Sequence, residues 1–168
     1  MTQTREMHFK RNEITDTENI RAILEKCVYG RLGFSEGGVP YIVPINFGYT
    51  FEDGVITLFF HSSGVGRKID IIKENPLVCF EIDCEYLLDP ETDPGGNRVR
   101  WESLIGTGKI EYVTEFYEKR RMLGNMIRKF RKYNKHYHPN PLTDDRVIGV
   151  TMFKLVLDEY KAKWLLHK

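Results

Sequence analysis

The sequence predicts a mainly β protein, a small closed or partly closed antiparallel barrel with helices packed outside it. Three observations carry that expectation. In "VPYIVPINFGY", residues 39–49, the odd positions Val39, Tyr41, Val43, Ile45, Phe47 and Tyr49 are all apolar, which is strand periodicity. Residues 77–88 alternate in the same way, with Val78, Phe80, Ile82, Cys84 and Tyr86 on one face and Glu81, Asp83 and Glu85 on the other. The links between successive strand patterns are short, and short links favour antiparallel neighbours.

Taken in order, residues 15–27 read as a helix. Thr15 and Glu18 form a capping box there, and Ile20, Ile23, Leu24 and Cys27 share one face. A strand at 28–34 ends in the turn "SEGG", and the 39–49 strand turns at "FEDG" into "VITLFFH", 55–61. Val65, Ile69 and Ile72 keep helical spacing until "ENP" at 74–76 ends that helix. After the 77–88 strand comes a Pro/Gly/Asp-rich loop at 89–97. A long strand follows at 99–113, with Gly106 and Gly108 as bend or bulge points. A helix at 114–131 faces Phe116, Leu123, Ile127 and Phe130 inward, and 147–160 is the last strand. Six strands and three helices in this order fit a barrel, and the strand–helix–strand step at 55–82 leaves open an α+β sheet with one parallel pair.

Composition bounds the function. A chain of 168 residues is read as one domain, 1–168, with an N-terminal arm at 1–14 and a basic loop at 132–145. Lys+Arg 25 against Asp+Glu 24 gives a net charge of +1, which does not announce a nucleic-acid partner. No apolar run approaches the ~20 residues of a membrane span, and the first residues lack the apolar core of a signal peptide. A cytoplasmic protein with reduced thiols is therefore expected for Cys27, Cys79 and Cys84. Cys79 and Cys84 fall on opposite faces of one strand, so they read as core thiols rather than a redox pair. No cysteine or histidine spacing calls for a metal, His136 and His138 lacking a nearby third ligand.

The stretch "FFHSSGVGRKID", 59–70, holds the chemistry. A strand ends in His61, Ser62 and Ser63, two glycines follow, and Arg67 and Lys68 open a helix. Cations at a helix N-terminus oppose its dipole, and a bound anion removes the conflict while taking up the free N–H groups. A solvated basic turn is the plainer alternative. The order of residues matches neither a Walker loop nor a Rossmann fingerprint. Pro40 and Pro44 cannot donate ladder hydrogen bonds, so their strand is an edge or is interrupted. An edge of that kind, with Asn46, Phe47 and Tyr49 close by, could meet a planar ligand with a phosphate tail.

Through "PYIVPINFGY", "LFFHSSGVGRKIDIIKENPLVCFEID" and "WESLIGTGKIEYV" the chain resembles the FMN-binding split-barrel proteins of the pyridoxamine 5′-phosphate oxidase superfamily. Within it, the chain is most similar to the nitroimidazole-resistance (Nim-type) group, loosely over residues 9–160. The resemblance implies a six-stranded antiparallel FMN-binding split barrel that forms a homodimer, with FMN at the subunit interface. It implies that Val43, Pro44, Ile45 and Asn46 run beside the isoalloxazine ring. Phe60, His61 and Ser62 border the ring and ribityl chain, and Gly66, Arg67 and Lys68 belong to the phosphate clamp. Trp101 and Ser103 reach the flavin from the partner subunit. The implied activity is an oxidoreductase acting on a small oxidised molecule such as a nitroimidazole or another nitro compound, with His61 as the candidate catalytic residue. A non-catalytic flavin-binding or redox-sensing module is the alternative, and haem or F420 in the same barrel is a third. Departures fall on the substrate side: loop 89–97 lacks the cysteine expected near it, and position 101 is tryptophan where tyrosine is commoner. The basic residues from Lys119 to Lys135 read as the solvated face of an amphipathic helix rather than a nucleic-acid site.

Overall fold

A computed structural model describes residues 6–88 and 99–165, with side chains described for 6–84 and 101–165. Loop 89–97 and the side chains of Glu85 and Tyr86 lie outside the described residues. The strands are β1 (Glu13–Ile14), β2 (Tyr29–Glu36), β3 (Val39–Asn46), β4 (Gly48–Glu52), β5 (Val55–Ser62), β6 (Leu77–Leu88), β7 (Val99–Val113) and β8 (Thr151–Leu165). The helices are α1 (Thr17–Lys26), α2 (Arg67–Glu74), α3 (Phe116–Tyr133) and α4 (Asp144–Gly149). One sheet runs β3-β2-β6-β7-β8-β5-β4, with β1 added beside β8. Every pairing among the described residues is antiparallel, so the strand–helix–strand step at 55–82 forms no parallel pair.

β3 and β4 follow one another in the chain yet form the two ends of the sheet. The sheet must therefore curl until its ends meet, and they meet without pairing, which is a split barrel. The edge position of β3 agrees with Pro40 and Pro44. Its hairpin with β2 turns on Gly37 and Gly38, with φ of 57° and 86°, which suits the right-handed strand twist. Leu32, Phe34, Ile56, Leu58, Phe60, Phe80, Ile82 and Leu104 fill the interior together with Ile23 and Leu24 of α1 and Ile69 and Ile72 of α2. Burying such side chains is worth roughly 1.5–3 kcal/mol each. α3 lies outside the barrel over a second cluster of Phe59, Val113, Met122, Met126 and Met152.

Several sequence expectations need correction. The periodic run 39–49 is two strands, broken at Phe47, because Gly48 packs so closely that a Cβ there would stand 2.2 Å from the Phe59 ring. β1 is an added strand, which ties Glu13 and Ile14 of the expected arm to Lys163 and Ala162. α1 is capped one residue later than Thr15: the Asp16 carboxylate accepts from the Asn19 N–H at 2.8 Å, so Asn19 rather than Glu18 completes the cap. Val65 precedes α2 and is 75% exposed; the helix buries Ile69, Ile71 and Ile72. Residues 147–149 belong to α4, whose Asp144 and Asp145 suit a helix N-terminus, and β8 starts at Thr151. α3 buries Met122, Met126 and Lys129, with Leu123 and Phe130 partly covered, so its inner face is rotated from the one predicted.

The β7–β8 ladder shifts register between Thr107 and Gly108, where the glycine pattern placed a bulge. A Cβ on Gly108 would lie 2.2 Å from the Val156 carbonyl oxygen, a backbone atom that cannot rotate away. Gly108→Ala should destabilise the protein by about 1–3 kcal/mol, as overpacking does. The check is the urea midpoint, which should fall with an unchanged slope; an unmoved midpoint refutes this account of the ladder.

Candidate functional site

The junction of β5, its following turn and α2 gathers Ser62, Ser63, Gly66, Arg67 and Lys68. Gly66 caps α2 with φ 113° and supplies no capping side chain; the Ile69 N–H donates to the Gly66 carbonyl at 2.8 Å, which leaves the Arg67 and Lys68 N–H groups to solvent or to a ligand. The Arg67 guanidinium lies 4.2 Å from the centre of the Tyr41 ring on β3. Its Nε and Nη2 both donate to one carboxylate oxygen of Glu36, at 3.0 and 2.7 Å. Arg67 therefore spans from α2 to the β2–β3 hairpin. Lys68 makes no ion pair among the described residues. Ser62 Oγ donates to the Ser63 carbonyl at 3.0 Å, and Ser63 Oγ accepts weakly from the Val65 N–H at 3.4 Å. This donor set of cations, hydroxyls and open backbone amides fits a phosphate monoester.

The other predicted residues divide. Val43 and Ile45 pack partly against the core on the same face of β3 as Tyr41, and so in line with Arg67, while Pro44 and Asn46 are exposed on the opposite face. The edge backbone of Val43–Asn46 is thus within one strand of the basic turn. The Phe60 side chain is sealed in the core against Phe80, at 6.0 Å between rings, which leaves only its main chain for a ligand. His61 points the other way, to a cavity of about 430 Å³ under α3, with Met126, Phe130, Tyr137, Asn140 and Arg146 around it. His61 is exposed at the mouth of that cavity, and partial desolvation there lowers its pKa.

Trp101 and Ser103 are not brought to this junction within one chain. The registers run Asn46 opposite Tyr29, Arg31 opposite Glu81, and Asp83 opposite Ser103, so two strands separate β3 from β7. At ~4.8 Å per strand that is roughly 14 Å. Trp101 instead has Lys163 Nζ 4.7 Å from its ring centre, and Ser103 is buried.

The sequence reading missed a charged group in the interior. Lys129 belongs to the basic stretch but is only 4% exposed. Its Nζ sits 3.4 Å from the centre of the Phe47 ring and 3.5 Å from the Phe47 carbonyl oxygen, with the Tyr49 ring at 5.3 Å. Desolvation lowers its pKa to about 7, with Cys27 and Glu25 opposing the shift. Burial raises the Glu25 pKa, but hydrogen bonds from Lys132 and Tyr49 outweigh it and leave the carboxyl below its ordinary value. Desolvation, with Glu25 nearby, pushes Tyr49 up to about 12. Cys27 shares a hydrogen bond with Cys84, which together with burial raises the Cys27 pKa, while Cys79 lies elsewhere on β6. The spacing of Met122, Met126 and Lys129 on one helical face was the available signal. Other cations of the stretch also work within the fold: Lys119 donates to the Ile148 and Val150 carbonyls, Arg120 pairs with Asp144, and Lys132 with Glu25. Among the described residues no group of three or more His, Cys, Asp or Glu is placed to hold a metal, and no helix is long and apolar enough to cross a membrane.

An antiparallel split barrel with a basic strand–helix junction beside an open edge strand defines the class. The chain belongs to the pyridoxamine 5′-phosphate oxidase family, whose sequence profile matches residues 16–164. A candidate 5-nitroimidazole antibiotic resistance protein from Bacteroides thetaiotaomicron is 27% identical over 90% of this chain and 86% of that one, with a TM-score of 0.73. The flavocytochrome Anf3 from Azotobacter vinelandii is 17% identical over 99% of this chain and 75% of that one, at TM-score 0.71. An FAD- and haem-binding protein from Mycobacterium smegmatis is 16% identical, over 90% and 72%, at TM-score 0.70. For these last two the likeness is one of fold. No curated protein matches the chain in sequence.

Lys129 makes stability depend on pH. Its pKa is about 7 in the fold and returns to 10.5 on unfolding, so between those values the unfolded chain binds the extra proton. The Lys129 penalty is therefore full below pH 7 and fades as pH rises toward 10.5. Lys129→Met should be more stable than the parent at pH 7, and chemical denaturation should show the gap closing by pH 10. A gap independent of pH would mean that Lys129 is not held against its charge.

Proposed function

We propose that the chain binds FMN and acts as an oxidoreductase that reduces a small oxidised compound, with nitro compounds as the leading class. The observation that carries the reading is the Arg67 fork. It is stacked on edge strand β3, already aimed at an oxyanion in the Glu36 carboxylate, and followed by Lys68 with no ion pair among the described residues. The flavin named for other structures of the same fold, FAD where it is specified, supports a flavin, and the choice of FMN rests on the phosphate-sized Arg67 junction. Arg67, Lys68, Ser62 and the α2 amides hold the phosphate, and Val43–Asn46 offer edge backbone to the ring. The flavin supplies the electron-transfer chemistry, while the chain binds it, orients it and shields it from water.

The functional unit in this reading is a homodimer with FMN at the interface, which brings the partner's copy of the Trp101–Ser103 strand to the ring. An outer sheet face supports it. Ile42 (64% exposed) and Leu77 line a mainly apolar cavity of about 520 Å³ there with Pro40, Gly33 and Cys79, and exposed Ile105 pairs with Glu81 beside it. An apolar face of this kind needs cover. In this reading the substrate reaches the flavin from the cavity under α3, where His61, its pKa lowered by partial desolvation, is the proton donor or anion partner.

Three measurements test this. Replacing Arg67 and Lys68 together by alanine should weaken FMN binding by at least about tenfold, since a charge-assisted bond is worth about 1.5–3 kcal/mol and tenfold is about 1.4. Undiminished FMN affinity in the folded double variant would sink the clamp. Light scattering should give a dimer for the parent and a monomer for Ile42→Lys; a flavin-saturated parent monomer overturns the interface. Reduced holoprotein should pass electrons to a small nitroaromatic faster than free reduced FMN, with the gain lost in His61→Ala and larger in mildly acidic solution. A rate equal to free flavin, indifferent to that substitution, favours the non-catalytic module.

A further inference from the structure

A third cavity, of about 580 Å³, opens between α1, β4 and α3, away from the Arg67 junction. Lys129 and Tyr49 line it, while the Phe51 ring is buried in the core with the Arg21 guanidinium 5.3 Å from its centre. Arg21, Arg128 and Lys132 stand around it, with Glu25 and Glu52 as the acidic lining. Two of these charges answer each other, since Lys132 pairs with Glu25 at 2.7 Å. Arg21 donates to the Phe51 carbonyl at 2.8 Å. Arg128 and Lys129 have no carboxylate within ion-pair distance among the described residues.

A buried ammonium without a counter-charge is costly, and replacing it by an apolar side chain is commonly stabilising. Lys129 has only one long hydrogen bond and two aromatic faces in compensation. The groups facing it are Glu25 and Cys27 from α1 and Tyr49 from β4; the Glu25 carboxylate is already committed to Lys132 and the Tyr49 hydroxyl. What the ammonium lacks is one anion reaching it from the cavity.

We propose that this cavity is a binding site for a small aromatic carboxylate, its carboxylate held by Lys129 and Arg128 and its ring against Tyr49. The size falls in the range of small-molecule sites, and a flat ring matches the Tyr49 face. Arg21, Arg128, Lys129 and Lys132 against Glu25 and Glu52 leave the lining net positive, which attracts any anion, and the tyrosine face is what favours an aromatic carboxylate over phosphate. The site is independent of the proposed flavin clamp: none of its lining residues belongs to the Arg67 junction.

The test uses benzoate, with neutral benzamide and inorganic phosphate as comparisons, titrated into the intact protein at pH 7 by calorimetry. Lysine-selective NMR follows the Lys129 side chain in the same titration. Benzoate should bind saturably and benzamide at least about tenfold more weakly, and the Lys129 resonance should move toward its charged form. Lys129→Met should remove the preference for benzoate over benzamide, and the surface substitution Arg128→Met should reduce it without unfolding the chain. Arg67→Ala should leave benzoate binding unchanged, which separates this site from the flavin clamp. Equal affinity for benzoate and benzamide, undiminished benzoate binding in Lys129→Met, or tighter binding of phosphate than benzoate would each overturn the proposal.

Discussion

Phe47 is the corner on which the barrel turns. It is the single residue between β3 and β4, the two ends of the sheet, so the chain must pass from one edge to the other there. Its ring is fully buried, set edge-on to Phe80 at 5.2 Å on one side and under the Lys129 ammonium on the other. The Phe47 carbonyl, which has left the β3 ladder, finds Lys129 Nζ instead. A backbone carbonyl buried at a strand bend needs a donor, and α3 supplies one. The outer helix is thereby fastened to the point where the barrel is split.

That arrangement sorts the molecule into separate surfaces. The open edge of β3 leads along Tyr41 to Arg67 and the α2 N-terminus, the side read as a cofactor clamp. The opposite face of β5 carries Phe59 and His61 under α3, because successive residues of a strand point to opposite faces. So His61 and Ser62, neighbours in sequence, serve different cavities. The α1–β4–α3 cavity lies beyond the corner, and its floor is the same lysine that secures Phe47. Lys129 thus links structure and chemistry at one atom: it satisfies a carbonyl, rests on an aromatic face and still holds unspent charge.

Much of this was legible in the residues. The period-two runs located the strands, and Pro40 and Pro44 marked β3 as an edge. The glycine pattern in "IGTGK" marked the bulge at Gly108, because a side chain cannot fit beside the Val156 carbonyl. The serine–glycine–cation order marked the turn before α2. The strand break at Phe47 was not legible, since Phe47 and Tyr49 continue the same alternation and the cause is Phe59 packing on Gly48. Nor was the partner of Arg67: Glu36 comes from a hairpin 31 residues away in the chain.

By itself the sequence determined where most strands and helices lie, the edge strand, the bulge and the basic junction, because each follows from local sterics or periodicity; residues 147–149, read as strand, went to α4. Only the tertiary structure decided which face each helix turned inward, where Cys27 meets Cys84, and that a lysine from a strongly basic helix would lie 4% exposed above Phe47. Those are outcomes of packing between segments far apart in the chain. Charge pattern favours sending Lys129 to water; its place on the inner face of α3 with Met122 and Met126 sets it over the Phe47 corner instead.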